Sequence, residues 1–221
     1  IDEVQMLQDA VFNLQSVLPL PLQLDSSNTQ ALEKAMRMYN GKAMINSVNG
    51  KQSSMSEVFP LVQKYGGVVV CLCLDEGGIP ETAEGRIKIA KKIIKTAESY
   101  GIDKKDLVVD ALVMTISTNK DNAKETLKAV DYIRHELGVG TVLGVSNISF
   151  GLPKREAINT AFFTLALKAG LSAGIINPLS ESMMNAYYSY NALEGFDDNC
   201  TQYIESVTAS ANTATATGVT D

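Results

Sequence analysis

The sequence predicts an α/β fold, a TIM-type (β/α)8 barrel lacking its first two strand–helix units. Three observations carry that prediction. Short apolar runs alternate with helical periodicity along the chain, the pattern of a parallel sheet covered by helices. Six of these runs close on an Asp or Asn: Asp25, Asn46, Asp75, Asp110, Asn147 and Asn177. Those residues recur at roughly 30-residue intervals, the length of one strand–helix unit. In a barrel the carboxyl ends of all strands face one shared site, so a polar residue at every end has a use. In a doubly wound open sheet only the strands at the switch point need one.

The elements follow in order. Val4, Leu7, Val11 and Leu14 recur at three and four residues, so the chain opens inside a helix. Leu20–Asp25 reads as a buried strand, and Ser26, Ser27 and Asn28 offer caps for a helix to about Met38. Ala43–Ser47 is the second strand and Ser54–Lys64 the second strand's helix. Gly67–Asp75 is the clearest strand, and Pro80 suits the first turn of a long helix whose stripe is Ile87, Ala90, Ile94 and Ala97. Leu107–Leu112, Thr141–Ser146 and Ala173–Pro178 complete six strands. Six units fall two short of eight. Because the chain opens mid-helix, the absent pair is expected to be the first two, as in a fragment or a processed product. Residues 1–205 then form the barrel domain. Residues 206–221, rich in Ala and Thr, read as an interdomain linker or disordered tail.

Composition removes several classes of function. With 221 residues, 45% hydrophobic and 20% charged, the chain can bury a core and is not disordered. The longest apolar run, Val68–Leu74, is far too short to span a bilayer, so no membrane role is expected. No basic segment leads into an apolar one, so no secretory signal is visible. A net charge of −6 without a basic patch argues against nucleic acid. Cys71, Cys73 and Cys200 show no paired spacing, which suits the reducing cytoplasm. The single histidine, His135, reads as a solvent-facing helix residue, so a zinc site or a Ser–His–Asp site is not expected. Cys71 and Cys73 read as buried thiols, and Lys88, Lys91, Lys92 and Lys95 as a solvated helix face.

A ring of carboxylates and amides remains. Asp and Asn suit a neutral heterocycle rich in N–H donors. An ionised Asp accepts two parallel hydrogen bonds from an N–H and the amino group beside it, as a 2-amino-4-oxo-pteridine presents them. Asp25 and Asp75 are also explained as caps or loop-closing residues. Asp110 is less easily explained so, because it lies inside the apolar run LVVDALVM and a buried carboxylate needs strong partners.

Five segments share the order and spacing of one family: LQLDSSN (22–28), MINSVNGK (44–51), LDEGGIPETAEGR (74–86), VVDALVMT (108–115) and GVSNISFGLPKRE (144–156). They resemble the pterin-binding, methyltetrahydrofolate methyltransferase domains of cobalamin-dependent methionine synthases and the related stand-alone methyltetrahydrofolate–corrinoid methyltransferases. The resemblance runs from the first residue to about Ile204. It implies a barrel that binds 5-methyltetrahydrofolate and passes its N5 methyl group to cob(I)alamin held by a separate corrinoid-binding domain or protein. It also implies that Asp110 accepts from the pterin N3–H and 2-amino group, and that Asp25 and Asn46 bond the far edge of the reduced ring. Asn147 would sit nearest N5, and Arg155 would touch the pterin or help close the site. Asn147 and Asp110 are thus the candidate catalytic residues, with no metal ligand. The family's first two strands, with Gly-Glu-Arg-x-Asn and Asp-x-Asn type segments, are absent. So are an Asp-x-His-x-x-Gly corrinoid motif and a cysteine triad for zinc and homocysteine.

The alternatives are a stand-alone corrinoid methyltransferase, a dihydropteroate synthase-like enzyme, and a non-catalytic pterin-binding or scaffold fragment. Dihydropteroate synthases would carry a Ser-Arg-Lys type segment where this chain reads Ser146-Asn147-Ile148-Ser149. The Ala/Thr stretch after Ile204 favours the folate module of a multidomain methionine synthase.

Overall fold

The computed structural model describes residues 2–216. Helix α1 (Glu3–Val17) leads into six strands: β1 (Gln23–Asp25), β2 (Met44–Asn49), β3 (Val68–Leu72), β4 (Leu107–Asp110), β5 (Gly140–Gly144) and β6 (Ala173–Ile175). Between and after them lie α2 (Thr29–Met38), α3 (Gln52–Tyr65), α4 (Ala83–Ser99), α5 (Asn122–His135), α6 (Arg155–Lys168), α7 (Glu181–Leu193) and α8 (Thr201–Ala216).

The strands form one parallel sheet in the order β1-β2-β3-β4-β5-β6. Each helix packs on the next in sequence, from α1 on α2 through to α7 on α8. Unreversed strand order with a single succession of helices is the barrel arrangement; a doubly wound sheet reverses its order at a switch point. The six strands make a curled half-barrel, with β1 and β6 at its two edges. The core lies between the sheet and its helices, where Ile45, Phe59, Val69, Cys71, Ile93, Val109, Ile133 and Leu143 are buried. All of β6 is exposed, since nothing among the described residues pairs with its outer edge. No helix among the described residues is long and apolar enough to cross a membrane.

Local chemistry sets the helix starts. Asn28 accepts from the Gln30 and Ala31 amides at the head of α2, and Thr82 accepts from the Gly85 amide at the head of α4. Pro80 therefore stands before α4 rather than in its first turn. There its ring crowds the site of a Cβ on Gly85, at 2.6 Å, so only glycine fits that close approach. Several strands are shorter than their apolar runs suggest, because the apolar residues continue into buried turns. In α1, Val11 is buried and Leu14 exposed. Lys92 is not simply solvated: it donates to the Gly50 carbonyl at 2.5 Å, while Lys91 lies 4.8 Å over the Tyr132 ring. The stretch from Ser206, expected as a linker or disordered tail, continues α8 to Ala216, and residues 217–221 lie outside the described residues.

Candidate functional site

The polar strand ends gather on the carboxyl rim of the sheet. Asp25 closes β1 and stands in register with Asn46 on β2, whose amide donates to the Asp25 carboxylate at 3.2 Å. Asp110 closes β4. Asn147 sits in a 3-10 turn, Val145–Ser149, immediately after β5. The other two polar residues serve their loops. Asp75 accepts from the Gly77 amide at 2.9 Å and Asn177 from the Leu179 amide at 3.0 Å.

Asp110 is buried, with 9% of its surface exposed. One carboxylate oxygen accepts from the Leu112 amide at 2.7 Å. The other takes no hydrogen bond among the described residues. Burial pushes the carboxyl up from its ordinary 3.8 to about 6, while the Leu112 amide and the Arg86 charge pull it back. A carboxyl raised in the folded chain holds its proton more tightly there than in the unfolded chain. Its contribution to stability is therefore full below about pH 4 and lost as pH rises to about 6. At about 1.4 kcal/mol per unit, the loss is about 2–3 kcal/mol. In Asp110→Asn that decline is expected to vanish. Unfolding temperatures from pH 4 to 8 check this, and a variant whose pH profile runs parallel to the parent's would contradict it.

The turn carrying Asn147 is held from two sides. Arg155, the first residue of α6, donates to the Ser149 hydroxyl at 3.0 Å and the Ser146 carbonyl at 2.7 Å, with its guanidinium 5.7 Å from the Phe150 ring centroid. The loop after β4 grips the same turn: the Ile116 amide donates to the Ile148 carbonyl at 3.0 Å, and the Thr115 hydroxyl to the Phe150 carbonyl at 2.7 Å. The Asn147 side chain is exposed and makes no hydrogen bond among the described residues. Arg155 thus acts on the turn rather than reaching Asp110 itself. It also lines a cavity of about 480 Å³ with Asn159, Asn177 and Met183 beside β5 and β6. Asp25, Asn46, Asp110 and Asn147 do not line that cavity.

Cys71 and Cys73 lie in the core. Burial pushes Cys71 up to about 12 and raises Cys73 as well, so both stay protonated inside the core. His135 bonds Asp131 at 2.9 Å on the exposed side of α5. Among the described residues no group of three or more His, Cys, Asp and Glu is placed to hold a metal ion. Sequence reasoning gave no role to Arg86, which is 0% exposed on the inner side of α4. A signal was present, since Arg86 falls on the helix stripe of Ala83, Ile89, Ala90 and Ile93. A charged residue in a buried stripe calls for partners.

The family model described as pterin binding enzyme matches residues 2–177. A methylcorrinoid:tetrahydrofolate methyltransferase of Eubacterium limosum is 28% identical over 206 residues, covering 91% of this chain and 75% of the relative. Methionine synthases of Mycobacterium leprae and Mycobacterium tuberculosis are each 34% identical, over 74% and 75% of this chain respectively. The chain spans only 15% of each of those two enzymes. Among solved structures, a dihydropteroate synthase of Clostridium difficile, determined in the presence of pteroic acid, superposes with a TM-score of 0.68 at 19% identity over 87% of this chain and 76% of that one. The Yersinia pestis dihydropteroate synthase gives 0.67 at 15%, over 87% of this chain and 78% of that one. At such identities these two structures speak for the fold alone.

Proposed function

The chain belongs to the pterin binding enzyme family, and from that premise we propose that it binds 5-methyltetrahydrofolate and transfers the N5 methyl group to a corrinoid. The observation that carries the proposal is Asp110: a buried carboxylate at a strand end, with one oxygen held by a backbone amide and the other free for a donor. The paired N–H and amino donors of a pterin edge are the complement of such a carboxylate. At pH 7 the carboxyl, raised only to about 6, is mostly ionised and accepts both. In this reading the hydrogen-bonded Asp25–Asn46 pair meets the other side of the ring, since it offers acceptors and an amide that both donates and accepts.

A tertiary amine releases a methyl group poorly, so N5 must gain a proton or a hydrogen bond as the methyl leaves. In this reading Asn147 gives that bond as charge changes at N5; its exposed side chain, making no hydrogen bond among the described residues, supports the role. In this reading the corrinoid is held by a separate domain or protein and would supply the cobalt nucleophile that takes the methyl group.

Two forms of this activity are supported by different relatives. Identity of 34% to two methionine synthases supports the folate module of such an enzyme. The longer match, over 206 residues, is to a relative named for transfer between a methylcorrinoid and tetrahydrofolate. One site serves both directions, since the same contacts stabilise a shared transition state. The test is methyl exchange with free corrinoid under anaerobic conditions. Loss of cob(I)alamin absorbance, saturable in 5-methyltetrahydrofolate and proportional to the chain, is the expected result. A rate at background over all chain concentrations would contradict it.

Arg155→Ala is expected to weaken 5-methyltetrahydrofolate binding about 3- to 10-fold, the worth of about one net hydrogen bond, by loosening the turn that carries Asn147. Calorimetric titration reads this directly. An unchanged affinity would mean that Thr115 and Ile116 hold the turn without Arg155.

A further inference from the structure

Arg86 ties three segments together from the middle of the protein. Its Nε donates to the Pro80 carbonyl at 2.9 Å, and its Nη1 to the Leu112 carbonyl at 2.9 Å and the Thr126 hydroxyl at 2.7 Å. Thr126 on α5 itself reaches the Leu112 carbonyl at 3.3 Å. Leu112 is the residue on which these bonds converge, and its backbone is left-handed, with φ of 63°. A leucine rarely adopts that conformation, which crowds its Cβ against the following carbonyl. It persists here because partners hold it from both ends: Arg86 and Thr126 at its carbonyl, Asp110 at its amide.

We infer that Arg86 is a positioning residue for the pterin site: by gripping the Leu112 carbonyl it holds the left-handed turn that aims the Leu112 amide at Asp110, fixing one carboxylate oxygen and leaving the other for the ligand. The inference deepens the folate reading of the rim and rests on it. Arg86 acts on the site through its bond to the Leu112 carbonyl. Its charge adds to the effect, since the guanidinium favours the ionised form of Asp110. The groups facing Asp110 are Arg86 from α4 and the Cys73 thiol from the segment after β3, which burial keeps neutral. Glu125 on α5 faces Arg86 and is itself bonded to Lys128 and the Ala83 amide. Burial raises the Asp110 carboxyl most, and Arg86 is the charged group that, with the Leu112 amide, pulls it back down.

The test compares the parent chain with Arg86→Met and Arg86→Lys, reading the Asp110 carboxyl and the Leu112 amide by NMR across pH without ligand, then 5-methyltetrahydrofolate affinity. In Arg86→Met the Asp110 midpoint is expected to rise by about one pH unit, and the pH response of the Leu112 amide to fade. Affinity at pH 7 is expected to fall about tenfold, the worth of one charge-assisted hydrogen bond. Arg86→Lys keeps the charge without the forked geometry, so it should hold the midpoint nearer the parent's while still loosening the Leu112 amide. If Arg86→Met does not fold, the Leu112 amide in Arg86→Lys decides. An Asp110 midpoint and a Leu112 amide that match the parent's in every folded variant would overturn the inference. A parent chain that does not bind the folate, while its Asp110 still answers to Arg86, would overturn the folate reading and leave the coupling standing.

Discussion

Asp110→Asn is expected to bind 5-methyltetrahydrofolate about 10- to 100-fold more weakly, with the fold intact. The replacement has the same shape but only one acceptor oxygen. If that oxygen keeps the Leu112 amide, as Asp110 does at 2.7 Å, the new NH2 group faces the N–H donors of the pterin edge. If the side chain turns round, the Leu112 amide loses its partner. Either way one buried donor is left unmatched, at about 1–3 kcal/mol, and each 1.4 kcal/mol is tenfold in affinity. The pH dependence should change as well. Parent binding is expected to weaken as pH falls through about 6, where Asp110 takes up its proton. Binding to the variant should lack that limb. Equal affinities for parent and variant at pH 7 would remove Asp110 from the site.

Asn147→Ala is expected to slow methyl transfer about a hundredfold while changing folate affinity by only about threefold. The asymmetry follows from the proposed role. A donor aimed at N5 strengthens its bond as charge develops there, so its removal is felt mainly in the transition state. The turn Val145–Ser149 should survive the change, because Arg155, Thr115 and Ile116 hold it through atoms other than the Asn147 side chain. Single-turnover rates with cob(I)alamin, set beside calorimetric affinities, separate the two effects. Equal losses in both would make Asn147 a binding contact only.

Much of the fold was legible because strand–helix alternation and polar strand ends are local signals. The six strands fall where the apolar runs lie, and their sequential order agrees with the barrel reading. Strand ends were overshot because residues such as Ala111 and Val113 remain buried after β4 stops hydrogen-bonding as a strand. The exposure of β6 was not legible: Ala173–Ile175 is apolar in the sequence, and only the sheet shows that β6 is an edge. The Ala/Thr composition after Ser206 suggested a tail, since threonine is a modest helix former, yet the run extends a helix already begun at Thr201. Within the candidate site, Asp110 stood out as a carboxylate in an apolar run, and its burial agrees. The left-handed turn at Leu112 carried no signal, because no glycine or asparagine marks it. Arg86 was visible as a residue, but its partners at Pro80, Leu112 and Thr126 meet it only in the folded chain.

Whether the rim around Asp110 binds a reduced pterin is decided by calorimetric titration of this chain with 5-methyltetrahydrofolate. Saturable one-to-one binding at pH 7.5 that weakens as pH is lowered through about 6 is the result expected from a buried, ionised Asp110 at the rim. A folded chain that shows no saturable heat at pH 7.5 would contradict the account.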